Sequence, residues 1–437
     1  MVKNTQKNDF IDHNDTIQSE NSSSYTIEER KSNIKFKIQT LFFAFVIILS
    51  QVGQKVTLPL WIDSAGLKGA IRYINISSFN RTSFSQTKPF MDQYFVLIFS
   101  GFSFSIFFGI ALVGKSLVNN FRKYDRRISH KKIFFVGLSC AVSAIFIVYG
   151  SSGTRTAPYL QAILMNVSIP STLLLRLFLL KKRPTKRKLV CAVATVLSLF
   201  VCLLPSIFPN IDPRHNKNKD EGGASGLAGI LWPLCFMLGY VLASLSNVMQ
   251  ENLVKFQHSF SKTKVDLLYL MFMMTVFQFL VLLVSFWVDA IPFFGNVDSI
   301  QKVASNCLFG ARCSIGLSEC SFYPGLYALL FIVSNCSYVI VTANLLRYCE
   351  GATLLAIISA VVTPLGFLFW TLFKEQPSFH WHPEVSITVW LNIAGLVVMV
   401  PSIYFYNTGE PEKAAASTDR LSETSPLLQE PFEGGNH

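Results

Sequence analysis

The chain has 437 residues, 51% hydrophobic and only 15% charged, with a positive mean hydropathy. This balance excludes an ordinary soluble enzyme and places the chain in a bilayer. Its net charge of +12 does not argue for nucleic acid as a partner, because the basic residues occupy short linkers between apolar runs, where they orient membrane proteins.

In chain order, residues 1–33 are polar and acid-bearing, with no apolar signal core, and read as a disordered tail. Ten apolar segments follow, at 36–61, 92–114, 133–150, 156–180, 187–208, 226–250, 265–288, 323–346, 351–373 and 385–406, each long enough to cross a hydrocarbon core of about 30 Å. The linkers after the second and fourth spans are rich in lysine and arginine, as is the stretch before the first span, which predicts cytosolic loops and two cytosolic termini. The opposite, lumenal side then receives the sequons at Asn75 and Asn80 and the stretch 289–322 with Cys307, Cys313 and Cys320. At least one disulfide is expected among those three cysteines, with the pairing left open. Asp266 and Asp289 sit at span ends and read as interfacial.

The fourth span carries Gln161, Asn166, Ser168 and a proline, Pro170. Proline removes a backbone donor and clashes with the preceding turn, so it predicts an interrupted helix facing protein or a wet cavity. A shift of 194 positions carries Pro170 to Pro364, Leu160 to Leu354, Val167 to Val361 and Leu174 to Leu368. Five spans separate the two copies, an odd number, so the halves enter the membrane in opposite directions. The expected fold is all-α and polytopic, with ten transmembrane helices as two inverted five-helix repeats at 34–208 and 226–406, joined by a lumenal linker at 209–225. Pro170 and Pro364 read as hinges, with plain packing kinks as the alternative.

Several polar residues inside the spans are candidates for a binding site. Lys55 stands in the first helix beside Gln51 and Gln54; a mid-membrane ammonium costs roughly 2.5–3.5 kcal/mol on insertion scales, which calls for a reason. It either faces a central cavity or snorkels toward Trp61. Gln161 and Ser168 are two turns apart on one helix face, with Asn166 between them. Ser359 and Thr363 precede Pro364 in a similar way, and Asn335 and Thr342 decorate the eighth helix. Interhelical glue is the bland alternative for each.

The set Gln54-Lys55, Arg155-Thr156 with Gln161, Ser168-Ile169-Pro170, Ser246-Asn247 with Glu251, Phe277-Gln278, the loop cysteines after Asn306 and Asn335-Cys336 resembles the chloroquine-resistance-transporter-like family of the drug/metabolite transporter superfamily. The resemblance covers nearly all ten spans. It implies the drug/metabolite transporter fold and an organellar carrier of peptides, amino acids, thiols or cationic drugs, often driven by protons. It adds Asn247 and Gln278 to the candidate binding residues and includes Asn335. It also points to Glu251 as a proton-coupling carboxylate, for which a solvated helix end neutralised by Lys255 is the alternative.

The sequence therefore predicts a secondary transporter that moves small polar solutes from an acidic organelle to the cytosol by alternating access. Its partners would be a small-molecule substrate, protons and the lipid bilayer, without nucleic acid or cofactor. A nucleotide-sugar or sugar-phosphate exchanger, with Lys55 and Arg155 as anion anchors, is the nearest alternative. A non-transporting receptor or scaffold is the more distant one. The histidines lie in tails and linkers, no HExxH, GxSxG or phosphate-cradling loop occurs, and neither catalysis nor metal binding is predicted. The segment 407–437 reads as a disordered cytosolic tail. Within it Glu423 with Leu427 and Leu428 has the form of an acidic dileucine signal, which predicts sorting adaptors as partners and a lysosomal or vacuolar membrane as residence.

Overall fold

The computed structural model describes residues 38–39, 41–64, 91–118, 129–183, 185–208, 223–224, 226–260, 267–317, 320, 322–348, 351–374, 380–383, 386–407 and 413–414. Long apolar runs form helices here because, in hydrocarbon, each backbone N–H has to bond within its own segment. The helices are α1 (Leu41–Asp63), α2 (Gln93–Val118), α3 (His130–Gly150), α4 (Pro158–Leu164), α5 (Ser168–Leu180), α6 (Lys186–Ile207), α7 (Ala228–Phe260) and α8 (Leu267–Val284). They continue with α9 (Ile300–Ser314), α10 (Tyr323–Tyr348), α11 (Gly351–Leu372) and α12 (Ile387–Asn407). Among the described residues, nine spans are long and apolar enough to cross a membrane, α4 and α5 together forming one. The chain is a multi-pass membrane protein. Helix α11, at the position of the ninth expected span, contains the shorter apolar stretch Val361–Leu372.

The ends of these helices follow local chemistry. Pro158 opens α4 at a position where its missing N–H costs nothing. Thr185 caps α6, its side chain accepting from the Lys188 N–H. Helix α5 stops at Lys181, whose φ of 51° is left-handed and whose N–H turns back to the Arg176 carbonyl. Lys182–Arg183 (β1) then pairs antiparallel with Lys413–Ala414 (β4), so the segment after α12 returns to the α5–α6 linker. A second small ribbon joins Phe373–Lys374 (β2) to His380–Trp381 (β3).

The expected interruption of the fourth span is present, and its form follows from Pro170. Residues Met165–Val167 are a 3₁₀ turn between α4 and α5, with the Ser168 N–H bonded to the Met165 carbonyl. Pro170, two residues into α5, has no N–H to offer the Asn166 carbonyl. The expectation of a matching break at Pro364 is corrected, since α11 runs as continuous α-helix through it.

Helices pack in a pattern that sets the site. Helix α3 runs against α7 and α8, α2 against α8, α4 against α11, and α6 against α12. One buried cluster joins Trp61, Phe95, Tyr149, Leu282 and the disulfide cysteines Cys313 and Cys320; another joins Leu160, Ile163, Phe236, Phe367 and Met399. Large apolar side chains on the outside, such as Phe178 at 74% exposure and Leu117 at 76%, form the belt that meets acyl chains.

Candidate functional site

A cavity of about 350 Å³ lies between α1, α2, α3, α7, α8 and α10, within the size range of small-molecule sites. Its wall is largely apolar, with Phe104, Phe108, Phe331, Met271 and Met274, and it is punctuated by Ser100, Ser143, Ser246, Thr275, Gln250, Gln278 and Asn335. Among the described residues no charged side chain lines it. Such a surface offers amide and hydroxyl groups for orientation, and methionine and aromatic faces that adapt to different shapes.

The wall is built by close helix contact. Gly239 of α7 approaches α3 so nearly that a Cβ there would lie 2.7 Å from Ile147 Cγ1 and 2.9 Å from Ile147 N. The Ser143 hydroxyl donates to the Gly239 carbonyl at 2.8 Å and the Ser139 hydroxyl to that of Leu242 at 3.2 Å. On the neighbouring seam a Cβ at Gly137 would meet Phe277 Cβ at 2.8 Å, which fixes α8 and its Gln278.

A second constellation surrounds Lys55. Its stem passes between α1, α4 and α11, with Cδ 3.2 Å from where a Gly366 Cβ would stand, and the Ala162 side chain touches the same spot. The Lys55 carbonyl accepts from Trp370 Nε1 at 3.4 Å. Next to it, Gln54 donates to the Ser334 carbonyl of α10 at 3.3 Å, and one turn earlier Gln51, with Thr342, flanks the Tyr338 hydroxyl. The interrupted span meets the ninth directly, because the Thr363 hydroxyl donates to Asn166 Oδ1 at 3.3 Å.

At one end of the bundle Arg176 of α5 grips Glu251 of α7, with Nη2 at 2.8 Å and Nε at 3.1 Å from the same Oε2. At the other end a Cys313–Cys320 disulfide closes the turn after α9. A polar network gathers beside it. The Tyr149 hydroxyl donates to Asp289 Oδ1 at 2.8 Å, and Arg155 donates to the carbonyls of Tyr149 and Phe294 and to Asn296 Oδ1 at 2.9–3.0 Å. The Arg155 guanidinium also lies 4.0 Å above the Trp232 ring, and burial lowers its pKa. Asp63 secures the same loop through the Ser152 hydroxyl and the Gly153 N–H.

A profile of the CRT-like, chloroquine-resistance transporter-like, family matches residues 70–406. The chain belongs to that family. It is also 24% identical over 350 residues to Crt homolog 2 of Dictyostelium discoideum, covering 73% of this chain and 67% of that protein.

In this CRT-like protein the residues singled out in the sequence fall into separate places. Gln278 and Asn335 line the cavity; Gln51, Gln54 and Lys55 are not among its lining residues. Gln161 is buried and donates to the carbonyls of Ser151 and Thr156, which makes it a brace for the loop before α4. Asn166 joins Thr363, and the Ser168 carbonyl accepts from the Ser244 hydroxyl at 3.2 Å. Asn247 is exposed on α7. Glu251 has Arg176 as a partner, from a span 75 positions away. Cys307 is a free, half-buried thiol, its pKa pushed up to about 12 by burial and by Asp92 and Asp289. Asp289 lies at the end of the span Leu268–Ala290, as expected, but it is fully buried rather than in contact with water, because Tyr149 and Asn296 supply the hydrogen bonds that water would otherwise give. The side chain of Ser359, and residues Asn75, Asn80, Asp266, Glu423, Leu427 and Leu428, lie outside the described residues.

The sequence missed Arg176, the methionine wall and the Asp92, Tyr149, Asp289 and Asn296 network. Their partners are far apart in the chain, so no local spacing announces them.

Proposed function

We propose that this CRT-like protein is a secondary transporter of small organic solutes that carry both polar groups and apolar surface, such as short peptides, amino acids, thiols or cationic drugs. The observation that carries the reading is the uncharged, methionine- and amide-lined cavity bounded by residues of six spans. Pairing of α2 with α8, α4 with α11 and α6 with α12, each helix with the one five spans later, supports two inverted five-helix repeats that rock about that cavity. The 3₁₀ turn before Pro170, linked to α11 through Asn166 and Thr363, is the hinge in this scheme.

Export from an acidic organelle would be driven by protons that move down their gradient through the bundle and leave by way of Glu251, which sits next to the cavity residue Gln250 and is held by Arg176. Protonation would weaken the ion pair that joins α5 to α7, and so couple the proton to the arrangement of the two halves. Lys55, at the crossing of α1, α4 and α11, would set the electrostatic potential that a substrate meets rather than touch it in this conformation. An exchanger of phosphorylated sugars is less well supported, since Arg155 spends its donors on carbonyls and Asn296 away from the cavity.

The residence we infer is a lysosomal or vacuolar membrane, with both termini in the cytosol and the disulfide in the lumen. Pairing of β1 with β4 places the α5–α6 linker and the segment after α12 on one side, in keeping with that orientation. The binding reading is tested with Gln278→Ala and Asn335→Ala. Each variant removes one hydrogen-bonding group and should raise the half-saturation concentration of the transported solute about fivefold, with unchanged yield. Unaltered affinity in both variants would remove the cavity from the account.

A further inference from the structure

Two carboxyl groups in the polar network beside the disulfide have an unequal supply of hydrogen bonds. Asp92 immediately precedes α2, and its Oδ1 accepts from the Tyr94 N–H at 2.8 Å. Asp289 lies in the 3₁₀ segment Ser285–Ala290 after α8, and its Oδ1 accepts from the Tyr149 hydroxyl at 2.8 Å and from the Asn296 N–H and Nδ2 at 3.2 Å. Both Oδ2 atoms are buried without a hydrogen-bond donor. The two side chains are 3% and 0% exposed and face each other within hydrogen-bonding reach.

An ionised carboxylate can only accept, and two buried like charges in contact do not both stay ionised. We propose that Asp92 and Asp289 hold one proton between them, forming a proton-binding site that ties the start of α2 to the end of α8, outside the central cavity. A single proton shared by the pair makes one carboxyl a donor to the other, a contact that two carboxylates, which only accept, cannot make. The inference does not depend on what the cavity carries.

The surrounding groups do not do the proton's work. From α2 the Tyr94 hydroxyl turns to the carbonyls of Leu282 and Leu283. From α3 Tyr149 already donates to Asp289 Oδ1. Helix α9 presents the Cys307 thiol, and Asn306, whose side chain reaches Asp92. Arg155 in the α3–α4 loop feels the charges of Asp289 and Asp63, but among the described residues it makes no salt bridge to Asp92 or Asp289, and its donors go to the Tyr149 and Phe294 carbonyls and to Asn296 Oδ1.

Asp92 stands just outside the span that begins at Gln93, and burial together with the charge of Asp289 raises its pKa to about 7. An unfolded aspartate titrates near pH 3.9, so between those values the folded chain keeps a proton that the unfolded chain has released. The stabilisation is complete below about pH 4 and is lost as the pH rises through about 7. A proton site with this behaviour tightens one end of the bundle in acid and loosens it near neutrality.

The test uses the full chain, purified in nanodiscs. Infrared difference spectra at about pH 6, where exposed carboxyls are ionised, should show a protonated carboxyl band that shifts in heavy water. The band should be lost at about pH 9 and absent from Asp92→Asn at either pH. The thermal midpoint of the unsubstituted protein should fall as the pH rises from about 4.5 to about 7, and that fall should be lost in Asp92→Asn, whose amide is neutral throughout. Absence of the band from the unsubstituted protein overturns the proposal whatever the variants do. So does a band that persists in both Asp92→Asn and Asp289→Asn.

Discussion

The glycine seam between α3 and α7 offers a perturbation whose sign comes from geometry. In Gly239→Ala the new methyl group would lie 2.9 Å from the Ile147 backbone nitrogen, where ordinary contact begins at 3.4 Å. Backbone cannot swing aside as a side-chain tip can, so α3 and α7 have to part by about half an ångström. Overpacking of this kind costs about 1–3 kcal/mol, and the Ser143 hydroxyl bond to the Gly239 carbonyl stretches from 2.8 Å. Alanine returns about 0.5–1 kcal/mol of helix propensity, leaving a net loss of about 0.5–2 kcal/mol. Gly114→Ala in α2 is the control, because a Cβ there meets nothing within 4 Å and only the propensity gain remains. Thermal midpoints in one detergent should therefore fall by a few degrees for Gly239→Ala and stay level or rise for Gly114→Ala. Transport by Gly239→Ala should drop further than its yield, since Ala243 and Ser246 on the next turns of α7 line the cavity. Equal midpoints in the two variants would refute the packing argument.

Cys320→Ser opens the loop closed by Cys313 across a separation of 7 residues and should cost roughly 2–3 kcal/mol, read as a lower thermal midpoint that reductant no longer affects; a midpoint equal to the parent's would contradict this. Replacing Leu427 and Leu428 with alanine should move a tagged protein to the cell surface, and unchanged organelle staining would place the sorting signal elsewhere. Lys55→Ala should favour cationic solutes over neutral ones by removing a positive charge near the route, whereas an unaltered preference would make Lys55 a packing residue.

Much of the fold was legible because a bilayer leaves few options. Each expected span from 92–114 to 385–406 overlaps a helix of the structure, since apolar length alone fixes where a chain crosses hydrocarbon. Helix α9 escaped notice because its mixed polar and apolar surface resembles a loop to a hydropathy reading. The interruption near Pro170 could be read from proline chemistry, but the same chemistry overstated Pro364, where α11 carries on. Of the candidate site, Gln278 was recognisable through family resemblance, and Asn335 also as a polar residue inside an apolar span. Gln161 was not recognisable as a brace, because its partners are backbone carbonyls that sequence does not mark. The burial of Asp289 was equally hidden, since it depends on Tyr149, 140 positions earlier.

Solute uptake by proteoliposomes, with and without an imposed pH gradient, tests the central claim most directly. Labelled dipeptides, amino acids, glutathione, a cationic drug and a sugar nucleotide should be compared on the purified chain alongside Gln278→Ala and Asn335→Ala. Uptake of one or more of the first four is expected, accelerated by the gradient and weakened in both variants. Flux confined to the sugar nucleotide, or no flux of any solute by folded protein, would contradict it.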